Sequence, residues 1–228
     1  MKRLLRIAAV VLLVVLAVAL VGGFGLYRAA QHVPPAYQRA LTVERDLAAR
    51  RSDEMLQQAT ALANQAKKPG QWEAVFSAEQ INGWLAVDLV ENHPDALPSA
   101  VRDPRVAIEP DEMQLFCRVE QGKLAGVLTL AVEPYLPEPN VLALRIRRAR
   151  AGLVPVPLDE VLKRISEAAA RAQISLQWRQ RDGDPVAIIP LPPPKDGDGR
   201  QVRIEQLQLR PGEVYLRGTT LPSPRPGH

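Results

Sequence analysis

Residues Ile7 to Leu26 constrain this chain more than any other stretch. They are twenty consecutive residues without a charge, nearly all apolar, preceded by Lys2, Arg3 and Arg6. At about 1.5 Å per residue, a helix of this length spans roughly the 30 Å hydrocarbon core of a bilayer. Basic residues beside such a segment stay in the cytoplasm. Residues 1–27 therefore read as a cytoplasmic basic flank and a single-pass signal anchor in the cell (inner) membrane. The C-terminal domain is then extracytoplasmic. A cleaved signal peptide is the competing reading. Its apolar core is usually about 7–15 residues and ends in a small-residue site. Here Ala17-Val18-Ala19 lies inside the apolar run.

The formal charge of +4 is concentrated at the start. Setting aside Lys2, Arg3 and Arg6 leaves 26 basic residues against 25 acidic ones, a balance of +1. A nearly neutral domain gives no footing for nucleic-acid binding. Cys117 is the one cysteine, so no internal disulfide can form. The exported part must rest on its own apolar core.

Residues 28–70 read as a stalk or amphipathic helix, with helical spacing from Ala36 to Lys68 and a stop at Pro69-Gly70. Residues 71–220 read as one α+β domain, and 221–228 as a disordered tail. Trp72 to Phe76 is a short strand. Ser77 opens a helix, with Gln80 three residues on as its capping-box partner. From Arg105 the apolar period becomes two. Val106 and Ile108, then Leu115, Cys117 and Val119, then Leu124 to Val132, alternate as antiparallel strands. Residues 133–140, with three prolines, read as a loop before a strand carrying Leu142, Leu144 and Ile146. A helix spans about Leu158 to Ala172, with Val161, Leu162 and Ile165 facing inward. Ile174, Leu176 and Trp178 alternate on the next strand, and Asp182-Gly183-Asp184 turns it. In the penultimate strand Val202 and Ile204 are out of phase with Leu207 and Leu209. A bulge near Glu205-Gln206 would restore one face.

Candidate chemistry is sparse. Of the three histidines, His93 alone lies well inside the domain, in Asn92-His93-Pro94 at a helix end. One cysteine and scattered histidines do not make a metal site. Cys117 reads as a small buried residue on an apolar strand face. The two Asp/Gly clusters, 182–184 and 196–199, lack the distal glutamate of a calcium loop and read as turns. No catalytic residue, metal or cofactor is expected, and the chain does not read as an enzyme; a lipid hydrolase working without histidine is the weakest alternative. Arg145, Arg147, Arg148 and Arg150 form a basic run. They are either a solvated strand face or a surface for anionic lipid headgroups, each worth on the order of 1 kcal/mol there.

Three patches carry a family resemblance. They are Phe76-Ser77-Ala78-Glu79-Gln80-Ile81-Asn82-Gly83-Trp84-Leu85; Pro134-Tyr135-Leu136 with Asn140 to Ile146; and Gly152 to Pro157 before Leu158-Asp159-Glu160-Val161-Leu162. In order and spacing they resemble the YpmS-like family of membrane-anchored bacterial proteins. That family is similar in outline to tubular lipid-binding (TULIP, BPI-like) domains. The resemblance implies a strongly curved antiparallel sheet wrapped around a helix as a half-barrel, holding a lipid or other apolar ligand in a groove between sheet and helix. The expected lining is Leu128, Leu130, Val132, Leu142, Leu144 and Ile146 from the sheet, with Val161, Leu162 and Ile165 from the helix. The expected partners are the membrane lipid bilayer, a lipid ligand and an envelope protein. A non-enzymatic envelope scaffold is the alternative function.

Overall fold

The structure is a computed structural model that describes residues 30–93, 97, 100–121, 124–171, 173–191 and 201–222. The apolar run 7–26, the turn at Gly122, the loop with the second Asp/Gly cluster and residues 223–228 lie outside the described residues. Among the described residues no helix is long and apolar enough to cross a membrane.

The chain enters through α1 (Pro35–Leu41) and α2 (Arg45–Ala66), then β1 (Gly70–Ser77), α3 (Ala78–Ala86) and a short α4 (Asp88–Asn92). Strands β2 (Val101–Ile108), β3 (Met113–Gln121), β4 (Leu124–Glu138) and β5 (Val141–Ala151) follow, and β6 (Val154–Pro155) folds back on β5. Next come α5 (Leu158–Arg171), β7 (Gln177–Arg181), β8 (Asp184–Pro190), β9 (Gln201–Arg210) and β10 (Glu213–Leu221). One sheet runs β2-β3-β4-β5-β8-β7 and a second runs β1-β10-β9. All pairings are antiparallel and neither sheet closes, so the fold is an open α+β arrangement.

Local chemistry accounts for many of these boundaries. The Ser77 hydroxyl accepts from Gln80 N–H at 3.1 Å, and the Gln80 side chain accepts from Ser77 N–H at 3.0 Å. This reciprocal box starts α3. Asp182 and Gly183 both have positive φ, 53° and 86°, as a two-residue hairpin turn with the strands' twist requires. The bulge in β9 falls at Glu205: Arg217 pairs with Gln206 and Gly218 with Ile204, leaving Glu205 without an opposite number. That shift puts Val202, Ile204, Leu207 and Leu209 on one face.

Two asparagines join the elements. Asn82 on α3 donates from Nδ2 to Val106 O at 2.9 Å and accepts from Val106 N–H at Oδ1 at 2.7 Å. Its amide thereby replaces the missing neighbour of β2, the edge strand of the large sheet. Asn140, in the β4–β5 turn with φ 61°, does the same for β9. It donates to Val202 O and accepts from Ile204 N–H, each at 2.7 Å, and its own N–H reaches Ile204 O at 3.1 Å. The two sheets are hydrogen-bonded through this turn.

Several expectations are corrected. The helix expected from Ala36 to Lys68 is broken at residues 42–44, and the Thr42 hydroxyl donates to Arg39 O at 3.0 Å. The break lets the chain round the β2 edge. On one side Tyr37 of α1 stacks on Phe116 with ring centroids 5.6 Å apart, its hydroxyl donating to Asp103 O at 2.9 Å. On the other side α2 packs along α3 and β1. Residues 133–138, expected as loop, continue β4. Beyond Val132 that strand loses β3 as partner and pairs with β5 alone, so Pro134 and Pro137 sit where an edge tolerates a missing N–H. Ile174 and Leu176 precede β7, which starts at Gln177, and β10 runs through Leu221, one residue into the expected tail.

Replacing Asn82 by Ala strips two hydrogen bonds from a half-buried strand edge and leaves both Val106 groups without a protein partner. The expected cost is about 2–4 kcal/mol, read as a lowered urea midpoint with an unchanged denaturant slope.

Candidate functional site

The residue after Asn82 sets the second spacing in the molecule. A Cβ on Gly83 would lie 2.6 Å from Arg51 Cβ, 2.7 Å from Ala48 O and 2.8 Å from Ser52 N, so α2 crosses α3 at backbone contact. With α3 pinned to β2 on one side and touching α2 on the other, a cavity of about 850 Å3 opens between them. It lies within the elbow formed by α1, residues 42–44 and α2. Ala36 and Ala40 of α1, Ala48 of α2, and Ala78 and Ala86 of α3 line it. Their side chains stop at Cβ, so helices held at these distances do not fill the space between them. Val106, Ala107 and Ile108 of β2 supply the sheet side. Val43, Leu47 and Val90, exposed by 43%, 46% and 55%, also belong to the lining.

Charge frames this apolar lining. Arg45 at the start of α2 meets Glu91 of α4 at 3.1 Å, and Arg51 meets Glu54 at 2.8 Å. Arg105 of β2 is different. Its Nε donates to Ala40 O at 3.2 Å and its Nη1 to Pro104 O at 2.7 Å, and among the described residues no carboxylate comes within ion-pair distance. Burial draws this guanidinium below its ordinary value, partly offset by Asp103. Beside it, burial, reinforced by Asp103, pushes the Tyr37 hydroxyl up to about 12.

The nine residues expected to line a groove are placed elsewhere. Leu128, Leu130 and Val132 of β4 share one face with Leu142, Leu144 and Ile146 of β5. The register shift that leaves Arg147 as an extra residue keeps them in phase. Leu115 and Cys117 of β3 extend that face opposite Leu130 and Leu128. Val132, Ile146 and, on α5, Val161 are buried, whereas Leu128, Leu130, Leu142, Leu144, Leu162 and Ile165 are half-buried. Trp178 Nε1 donates to Ser166 Oγ at 2.8 Å and ties α5 to β7. None of the nine lines the 850 Å3 cavity.

The basic run is largely neutralised. Arg145 is only 9% exposed and pairs with Asp184 at 2.7 Å, Asp182 at 3.4 Å and Glu133 at 4.0 Å. Arg147 shares Asp184 and Glu133, and Arg148 meets Glu112 at 2.8 Å. Arg150 is exposed and has no ion pair among the described residues. His93 lies 3.6 Å from Asp88 and near the Trp84 ring. Among the described residues no group of His, Cys, Asp and Glu could hold a metal ion.

No protein-family model matches the chain, and neither the curated proteins nor the solved structures contain a match to it. The cavity residues were not singled out from the sequence. Their signal was present in Gly83, a glycine inside an amphipathic helix, which points to close backbone approach, and in the alanines of α1 and α2.

Substituting Gly83 by Ala forces α2 away from α3. The expected loss is about 1–3 kcal/mol, measured by chemical denaturation. Alkaline pH supplies a second check. Burial pushes the Cys117 thiol up to about 11 from its ordinary 9.0. Both Cys117 and Tyr37 are therefore held neutral more strongly in the fold than in the unfolded chain. Their contribution is complete below about pH 9 and is lost as pH rises through 11 to 12. Urea midpoints should fall across that window, and Cys117→Ser should flatten its lower part.

Proposed function

We propose that this chain is a membrane-anchored, extracytoplasmic, non-enzymatic protein that binds a lipid or other apolar ligand in the groove between its sheet edge and its helices. The observation that carries this reading is the 850 Å3 cavity, lined by alanine and aliphatic side chains and including three exposed aliphatic residues. Its size falls within the roughly 300–1,000 Å3 of small-molecule sites, which are mostly apolar with a few placed polar groups. An exposed aliphatic lining costs solubility unless something covers it. The position of the cavity in the chain agrees. Ala36 follows Leu26 by ten residues, which extended reach at most about 35 Å. An anchor at Ile7 to Leu26 therefore keeps this site near the bilayer surface.

We read the fold as a variant of the tubular lipid-binding type, in keeping with the YpmS-like resemblance. The support is the apolar face of β3, β4 and β5, on which four of the six sheet residues expected in the groove remain half-buried. The ligand site itself we place at the β2 edge, because the cavity is there.

The test is native mass spectrometry of the full-length protein released from mild detergent. One lipid adduct per chain is expected to persist in the wild type and to be lost when Ala86→Trp fills the cavity, with the circular dichroism spectrum unchanged. An adduct retained equally by Ala86→Trp, or none in either protein, would falsify this reading and favour an envelope scaffold held by protein contacts.

A further inference from the structure

The charges around the cavity are not evenly spread. Glu91 is held by Arg45. Glu79 acts on Arg51, which also has Glu54. At the α1 end neither Arg105 nor Arg39 has a carboxylate within ion-pair distance among the described residues, and Asp103 acts on Arg105 only from farther off. Arg105 is half-buried, and only two carbonyls receive its protons. A guanidinium carries five N–H donors in a planar fork, which matches a carboxylate or phosphate bidentately. Leaving such a charge half-desolvated is costly without an anion beside it. At the other end of the β2 lining, Glu109 is four residues away, or about 13 Å along the strand. Between the two ends β2 presents only the aliphatic residues Val106, Ala107 and Ile108.

Resting on the apolar-ligand reading above, we propose that the occupant is a single-chain amphiphile with an anionic head, a carboxylate or a phosphate monoester. Arg105 and Arg39 hold the head at the α1 end. The tail runs along Val106 and Ile108 towards Ala86 and Val90. Volume selects one chain. If a methylene takes roughly the 30 Å3 of a liquid water, an acyl chain of about eighteen carbons fills on the order of 500 Å3. Two such chains exceed the 850 Å3 present. Glu109 sets the direction, because it repels an anionic head from the far end.

The test uses the full-length chain in nanodiscs, photolabelled with stearate carrying a diazirine near the tail end and mapped by peptide mass spectrometry. Competitors are oleate, lysophosphatidate and oleyl alcohol. The expected result is labelling on α1, α2 and α3. Oleate or lysophosphatidate should displace it at least tenfold more effectively than oleyl alcohol, and the better of the two names the head. Arg39→Gln and Arg105→Gln should each weaken the acidic competitors about tenfold and leave the alcohol unchanged. Arg179→Gln, on an exposed strand away from the cavity, should change nothing. The Arg39 side chain makes no hydrogen bond or ion pair with the described residues, so its variant keeps the fold even where loss of the Arg105 contacts loosens α1. Alcohol competing as well as the acids, or acids unaffected by both substitutions, overturns the anionic head while the labelled cavity leaves the apolar-ligand reading standing. No labelling of α1 to α3 by the probe overturns both.

Discussion

The contact on which the site depends is the Asn82 amide against the Val106 peptide. An edge strand of a large antiparallel sheet carries unmet N–H and C=O groups. Here a side chain with one donor and one acceptor, at the right separation, meets a pair of them. The helix that bears this side chain is thereby fixed against the sheet edge and not on its face. Its next residue has no Cβ, and so receives α2 at backbone distance. Two adjacent residues thus determine where α2 and α3 stand relative to β2. The cavity is what remains between them when the facing side chains are alanines.

The same device is used a second time. Asn140 presents its amide and its own N–H to β9, and so couples the small sheet to the β4–β5 turn. On the far part of the large sheet, the half-buried charges are organised around Arg145. Glu133, Asp182 and Asp184 surround it, drawn from β4, the β7–β8 turn and β8. An arginine so placed is difficult to replace, because removing it leaves carboxylates facing one another. Of the basic run only Arg145 is buried, while Arg147 and Arg148 are paired but exposed and Arg150 is exposed.

Local signals in the chain were legible where the physics is local. The capping box at Ser77, the turn at Asp182-Gly183, the bulge at Glu205 and the alternation of β2 to β5 follow from near neighbours in sequence. Errors arose where a distant partner decides. Proline at 134 and 137 suggested a loop, because nothing nearby shows that β3 has ended and left β4 an edge. The segment from Ala36 to Lys68 keeps helical spacing throughout, yet breaks at 42–44 because α1 packs on β2 whereas α2 packs on α3 and β1. The face formed by Leu128, Leu130, Val132, Leu142, Leu144 and Ile146 was read correctly as one face. That it does not bound the 850 Å3 cavity could not be read from periodicity, which reports a face and not what covers it.

By itself the sequence determined the apolar run that makes a membrane anchor the expectation, the α+β class and the single cysteine. These depend on composition, charge and spacing along the chain. The tertiary structure alone decided that the Asn82 amide serves β2, that Arg145 is buried among three carboxylates, and that Arg105 has no carboxylate partner among the described residues at an alanine-lined cavity. Each of those depends on which residues far apart in the chain are brought within hydrogen-bond reach. No local pattern carries that information.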